Sequence, residues 1–242
     1  MNSSLNPIGI SCTVLLFGIP AVGFIAVCRI LVPYFHQNFG LHPALSWFIG
    51  GLLTFFPLFL LALFLARKDG FLTKAELSSR FRLKKMSNRD WKFALGGLLL
   101  IFIGTGLIMG ISKLLHLQFG IPEIEPTPPF MKFEPFQGKE RLLLLVWLVM
   151  FFFNIFGEEL LWRGYILPRQ ELALGQSAWM LNSALWFVFH VAFGIDLLIL
   201  LLPILIVLPW CVQKTGNTMV GIWIHGLMNG PMFILVSLGI IG

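Results

Sequence analysis

The sequence predicts an all-α, polytopic helix bundle embedded in a membrane. Three observations carry this. Hydrophobic residues make up 57% of the 242 and charged residues only 12%. The mean hydropathy is +0.88. Apolar runs long enough to cross a bilayer, roughly 20 residues each, recur along the chain. A soluble domain of this size could not hide so much apolar surface, so the bilayer must be its solvent.

The runs fall at about 8–32, 43–66, 91–115, 141–165, 177–195, 196–213 and 217–240, which gives seven spans. Only the region from Gly194 to Asp196 separates the fifth from the sixth, so six to eight are admissible. No internal repeat or low-complexity segment is present, and one membrane domain covers 1–242. The first run lacks a basic n-region and a small-residue cleavage site, so it reads as a retained anchor.

Between the spans, the chain is polar in two places. Residues 67–90 are basic. Thr73 and Glu76 have capping-box spacing and predict a short interfacial helix, and Ser87 with Asp90 predicts the start of the third span. Residues 116–140 carry five prolines and four glutamates and read as an irregular loop or cap on the other side. The sequence pI of about 9.5 raises the question of a nucleic-acid partner. However, nine of the 17 Lys and Arg lie between Arg67 and Lys92, a placement that points to anionic lipid and a cytoplasmic loop instead. Seven spans then put twelve Lys and Arg on the inner side and five on the outer. The N-terminus and the 67–92 loop are expected in the cytoplasm, in a protein of the cell membrane.

Cys12, Cys28 and Cys211 lie far apart in apolar runs, without a CxxC pair, and read as packing residues. No HExxH helix, GxSxG elbow, Walker A loop or GxGD-like aspartate pair occurs.

What stands out is FFFNIFGEELLWRG. Glu158 and Glu159 sit side by side at the end of an apolar run, with Arg163 four residues on. Carboxylates inside a membrane are costly and rarely lack a partner or a task. Glu159 and Arg163 are i and i+4 on one helix face, with the acid N-terminal, the favourable order for an ion pair. Glu158 points about 100° away. The spacing therefore predicts a structural pair, Glu159–Arg163, and a separate Glu158 facing the bundle interior, where a partly desolvated carboxylate suits general-base work. The alternative is that both acids neutralise arginine and dipoles at a helix end. Asn154, one turn earlier, could orient Glu158.

Two further polar groups lie in other spans. His190 stands in ALWFVFHVAF, and His225 with Asn229, i and i+4, stands in GIWIHGLMNG, where Gly226 and Gly230 would allow close helix approach. Taken alone, each reads as structural, His190 as a hydrogen-bonded core histidine and His225 with Asn229 as polar glue between helices. Together they bring ionisable groups from three spans toward one place. His36, His42 and His116 fall near span ends and read as interfacial. Measured along the chain, Glu158 lies about 10 Å from an inner end at Tyr165, His225 about 12 Å from Asn217, and His190 nearer ~20 Å from Ser177. These depths disagree, so a boundary or a tilt must differ from this reading.

Glu158-Glu159-x-x-x-Arg163, a histidine in the next span, and His225-x-x-x-Asn229 together resemble the CPBP (CAAX protease and bacteriocin-processing, or Abi) family of intramembrane endopeptidases. The likeness spans about 140–235. One departure is visible: the family's Phe-x-x-x-His reads Trp186-x-x-x-His190 here. The resemblance implies an endopeptidase with Glu158 as base, His190 helping to activate water, and His225 with Asn229 binding the oxyanion. It implies a peptide or lipidated protein as substrate, membrane lipid as surroundings and no nucleic acid. Metal-free catalysis is the expectation. Zinc on Glu158, His190 and His225 is the alternative. A non-catalytic membrane adaptor of the same fold and a proton-coupled transporter compete with this reading, although the transporter lacks an inverted repeat.

Overall fold

The computed structural model describes residues 5–240. The chain is helical, and no strand forms among the described residues. Six continuous helical stretches are long and apolar enough to cross a membrane. The fourth, Gly138–Phe193, is 56 residues long and contains both the fourth and the fifth expected spans.

Helix α1 spans Ile10–Phe39, interrupted by a π turn at Val27–Leu31. Helix α2 (Pro43–Lys68) returns across the bundle. Both expected capping boxes form: Thr73–Glu76 opens the short α3 (Lys74–Arg80), and Ser87–Asp90 opens α4 (Asn88–Phe119). After the proline-rich loop comes α5 (Leu143–Glu158), which runs without a break into a π segment (Glu159–Ile166) and α6 (Leu167–Leu174). Helices α7 (Ala178–His190), α8 (Ile195–Thr215) and α9 (Thr218–Ser237) complete the chain. Prolines lie inside α1, α2, α8 and α9, as membrane helices packed against neighbours tolerate.

Helix α2 packs along α5, α1 along α7, and α8 along α4, α7 and α9. The closest approach of another segment's backbone to a glycine is at Gly157, where an added Cβ would come within 2.6 Å of the Phe55 carbonyl oxygen. Only glycine lets α2 pass so near, immediately beside Glu158. Gly230 also faces a neighbour, the Phe151 ring, whereas Gly226 meets nothing, so it does not serve the close approach its sequence predicted. Cys28 and Cys211 are buried as packing residues, but Cys12 is exposed.

The two polar regions close opposite ends of the bundle. At the basic-loop end, Thr218 donates its amide to the Arg82 carbonyl, and Arg82 pairs with Glu171 at 2.8 Å. Arg169 and Asp69 also pair here. At the other end, Phe136 donates its amide to the Ser237 carbonyl, and Glu125 donates its amide to Asp196. Gly194, with φ +90, makes the turn from α7 into α8 there.

The fourth span ends at Leu174 rather than at Tyr165. This removes the conflict between Glu158 and His190, while His225 stays about 12 Å from Asn217. Glu158 lies sixteen residues from Leu174 and His190 twelve from Ala178, both roughly 20 Å along their helices.

Candidate active site

The π segment is buried at all eight of its positions. Such segments are rare, and they often occur at functional sites. The wider turn leaves carbonyls in need of donors. Arg80, from the basic loop, supplies them: its guanidinium donates to the carbonyls of Gly164 and Tyr165 at 3.2 and 3.1 Å. Burial pushes this guanidinium down to about 10, still charged at neutral pH. Asn182 of α7 donates to the Trp162 carbonyl at 3.1 Å. The segment is thus clamped by side chains from two other elements.

Glu158, the residue before the segment, is 1% exposed. One carboxylate oxygen accepts from Asn154 Nδ2 at 2.7 Å, and the other accepts from Trp186 Nε1 at 2.6 Å. Both donors are neutral, so the carboxylate is fixed in place without an ion pair.

Glu159 is held quite differently. Its Oε1 lies 3.4 Å from Arg163 Nη1 and 3.0 Å from His225 Nδ1. The arginine contact is an ion contact off the angle of a hydrogen bond, since the Arg163 nitrogens find no aligned acceptor among the described residues. The face of Trp186 supplies the rest, with the Arg163 guanidinium carbon 3.6 Å from the ring centroid, a cation–π geometry favoured by desolvation. Gly221 leaves the room that the Glu159 carboxylate occupies.

Glu158, His190, His225 and Asn229 all line one cavity of about 290 Å³, otherwise walled by aromatic, methionine and leucine side chains. Glu159 and Arg163 lie behind it. His190 Nδ1 is 2.9 Å from the Trp186 carbonyl. A carbonyl can only accept, so Nδ1 carries a proton, and in the neutral ring Nε2 keeps its lone pair. His225 uses Nδ1 on Glu159, a contact its sequence position did not reveal. In the neutral form its Nε2 is then an acceptor, and only the imidazolium donates from Nε2 as well. Pro126 and Met131 bring the proline-rich loop over the cavity. His36 and His116 are exposed at helix ends, and His42 caps α2 by accepting from the Ala44 amide at 3.2 Å.

Trp186 is a site residue that the sequence alone does not single out. Its ring touches Arg163, His190 and His225, and its N–H holds Glu158. The available signal was chemical: tryptophan carries a donor that phenylalanine lacks.

A zinc centre would need three side-chain ligands converging on one point. No cluster of three His, Cys, Asp or Glu side chains with that arrangement occurs among the described residues. Each oxygen of Glu158 accepts one hydrogen bond and keeps a second lone pair.

Comparison with known proteins agrees with the motifs. No curated protein and no solved structure matches the chain. The family model described as type II CAAX prenyl endopeptidase Rce1-like matches residues 140–230, a stretch that contains Glu158, Glu159, Arg163, His190, His225 and Asn229. The site-bearing part of this chain therefore matches the Rce1-like family, which supports a CAAX-type intramembrane endopeptidase.

Proposed function

We propose that the protein hydrolyses peptide bonds of membrane-associated or lipidated peptides, without a metal, at the cavity between Glu158 and Asn229. The observation that carries this reading is the convergence of Glu158, His190, His225 and Asn229, from three helices, on one apolar cavity. An adaptor needs buried ion pairs for packing. It does not need a fixed carboxylate and an unprotonated imidazole nitrogen facing the same space.

In the proposed reaction a water lies between Glu158 and His190. Glu158 accepts one of its protons as the water oxygen attacks the scissile carbonyl carbon, with the His190 Nε2 lone pair accepting a hydrogen bond from the same water. The carbonyl oxygen takes up the negative charge. The Asn229 amide donates to it, and His225, held through Nδ1 by Glu159, stands beside it as the second oxyanion group. Glu158 then returns its proton to the leaving nitrogen as the C–N bond breaks. The products are a new carboxylic acid and a new amine, and transfer of the acid's proton to the amine leaves them as carboxylate and ammonium. Asn154 and Trp186 keep the Glu158 oxygens aimed throughout, which limits the reorganisation each proton transfer requires.

The substrate enters an apolar cavity roofed by the proline-rich loop, which suits a peptide delivered from lipid. The topology proposed has the 67–92 loop in the cytoplasm. Ser79 is exposed there, and a cysteine in its place should resist an impermeant thiol reagent in intact cells.

The direct test is cleavage of a peptide library by protein reconstituted in liposomes, comparing wild type with Glu158→Ala. Products from wild type and none from the variant support the proposal. Equal products would refute the role of Glu158, and no cleavage of any membrane-associated or lipidated peptide would favour the adaptor.

A further inference from the structure

A second cavity, of about 360 Å³, opens at the proline-loop end of α1, outside the catalytic site. Arg29, His36 and Lys132 line it together with the polar Gln37 and Ser46, and no acidic residue does. Arg29 is the one charged residue between Ile10 and Leu31. It is exposed and has no hydrogen-bond or ion-pair partner among the described residues. It also sits in the π turn Val27–Leu31. The other π segment among the described residues carries Glu159 and Arg163.

The Arg29 guanidinium reaches toward Gly194 at the α7–α8 turn, and an unpaired cation on a span is costly unless something in the membrane answers its charge. At 30 residues α1 is about 45 Å long, some 15 Å more than the hydrocarbon it must cross. If that excess is shared between the two ends, the Arg29 backbone lies about 8 Å beneath the headgroups, within reach of an extended arginine side chain. The anions found at that level are lipid phosphates. A planar guanidinium suits a phosphate because it can donate two parallel hydrogen bonds. Lys132, 3.1 Å from Glu125 with both side chains about half exposed, supplies a weaker second charge from the loop above.

We propose that this cleft seats the phosphate of one membrane phospholipid, with Arg29 as its principal donor and Lys132 closing over it. The seat adjoins the catalytic cavity: Phe130 lines the cleft and stacks at 6.4 Å on Phe193, which lines the cavity. The bound lipid thereby braces the loop that roofs the site.

The test does not depend on peptide cleavage. Wild-type protein and variants are reconstituted in bilayers of phosphatidylglycerol and phosphatidylcholine, extracted in mild detergent and weighed by native mass spectrometry, with and without added inorganic phosphate. Wild type should retain one phospholipid per chain. Arg29→Gln should lower that occupancy at least ~10-fold at unchanged helix content, as expected for losing a charge-assisted donor. Lys132→Gln, in an exposed loop, should lower it about 2- to 3-fold. Should Arg29→Gln fail to assemble, Arg29→Lys, which keeps charge but loses the fork, decides by a partial loss. Retention equal to wild type in the Arg29 variants would overturn the proposal. Displacement of the lipid by inorganic phosphate would overturn it too, showing a site for free anions.

Discussion

Glu158 and Glu159 are neighbours in sequence and opposites in surroundings. Glu158 faces the cavity and is held by two neutral donors, Asn154 and Trp186. Glu159 faces away from it and is held by charge, between Arg163 and His225. The difference follows from where the π segment begins. Glu158 ends a regular α-helix against Gly157 and α2, and Glu159 opens a wider turn that tucks its carboxylate against α9. A buried carboxylate that keeps no counter-ion is free to change its protonation state. One locked to an arginine cannot do so without leaving a buried charge unpaired, at a cost of several kcal/mol. One acid is therefore placed to react and the other to support.

Substitutions around the pair sharpen this contrast. The largest effect expected outside the acids themselves is from Asn229→Ala. Losing one oxyanion donor should reduce kcat about 10²- to 10³-fold with little change in KM. Steady-state kinetics on a cleaved peptide would measure this, and a change confined to KM would move Asn229 from the oxyanion to substrate binding. Trp186→Phe keeps a ring for Arg163 but removes the N–H that holds Glu158. A lost hydrogen bond to a charged group predicts roughly 10-fold or more in kcat, with thermal stability little altered. If stability falls while kcat per folded molecule is preserved, Trp186 serves the arginine more than the carboxylate. The smallest effect expected is from a strong zinc chelator: activity should persist through prolonged treatment, with no stoichiometric metal in the purified protein. One equivalent of zinc, with activity restored only by adding it back, would contradict the metal-free reaction and mean that Glu158 is re-aimed when the ion binds.

Much of this was legible in the sequence. Glutamates and histidines stand out in apolar runs because the membrane penalises them, and helical spacing alone separated Glu158 from the Glu159–Arg163 pair. The two capping boxes and the proline-rich loop were equally plain, since their signals are local. What sequence hid depends on contacts between distant segments. The π segment has no signature in hydropathy, which registers that Leu160–Trp162 are apolar but not how the backbone winds. The apolar run that marks the fourth span stops near Tyr165, short of the end of the helix. In the fold Arg169 pairs with Asp69 and Gln170 accepts from Asn182 at 2.9 Å, so the helix continues to Leu174. Arg80 looked like one charge among nine on a lipid-attracting loop, yet it is 3% exposed and caps the carbonyls of the π segment. The His225–Glu159 contact joins residues 66 apart and could not have been inferred from spacing.

The central claim, that adjacent acids do different work, is tested most directly by comparing Glu158→Gln and Glu159→Gln in one experiment. Both variants are reconstituted in liposomes, and peptide turnover and thermal unfolding are measured on the same samples. The account predicts that Glu158→Gln unfolds near the wild-type temperature with turnover at least ~10³-fold lower, since the amide keeps the shape and loses the base. It predicts that Glu159→Gln is destabilised by about 3 kcal/mol or more, the cost of leaving Arg163 buried and unpaired, with lower yield and partial activity in the folded fraction. Substantial turnover in Glu158→Gln, or a wild-type unfolding temperature in Glu159→Gln, would contradict it.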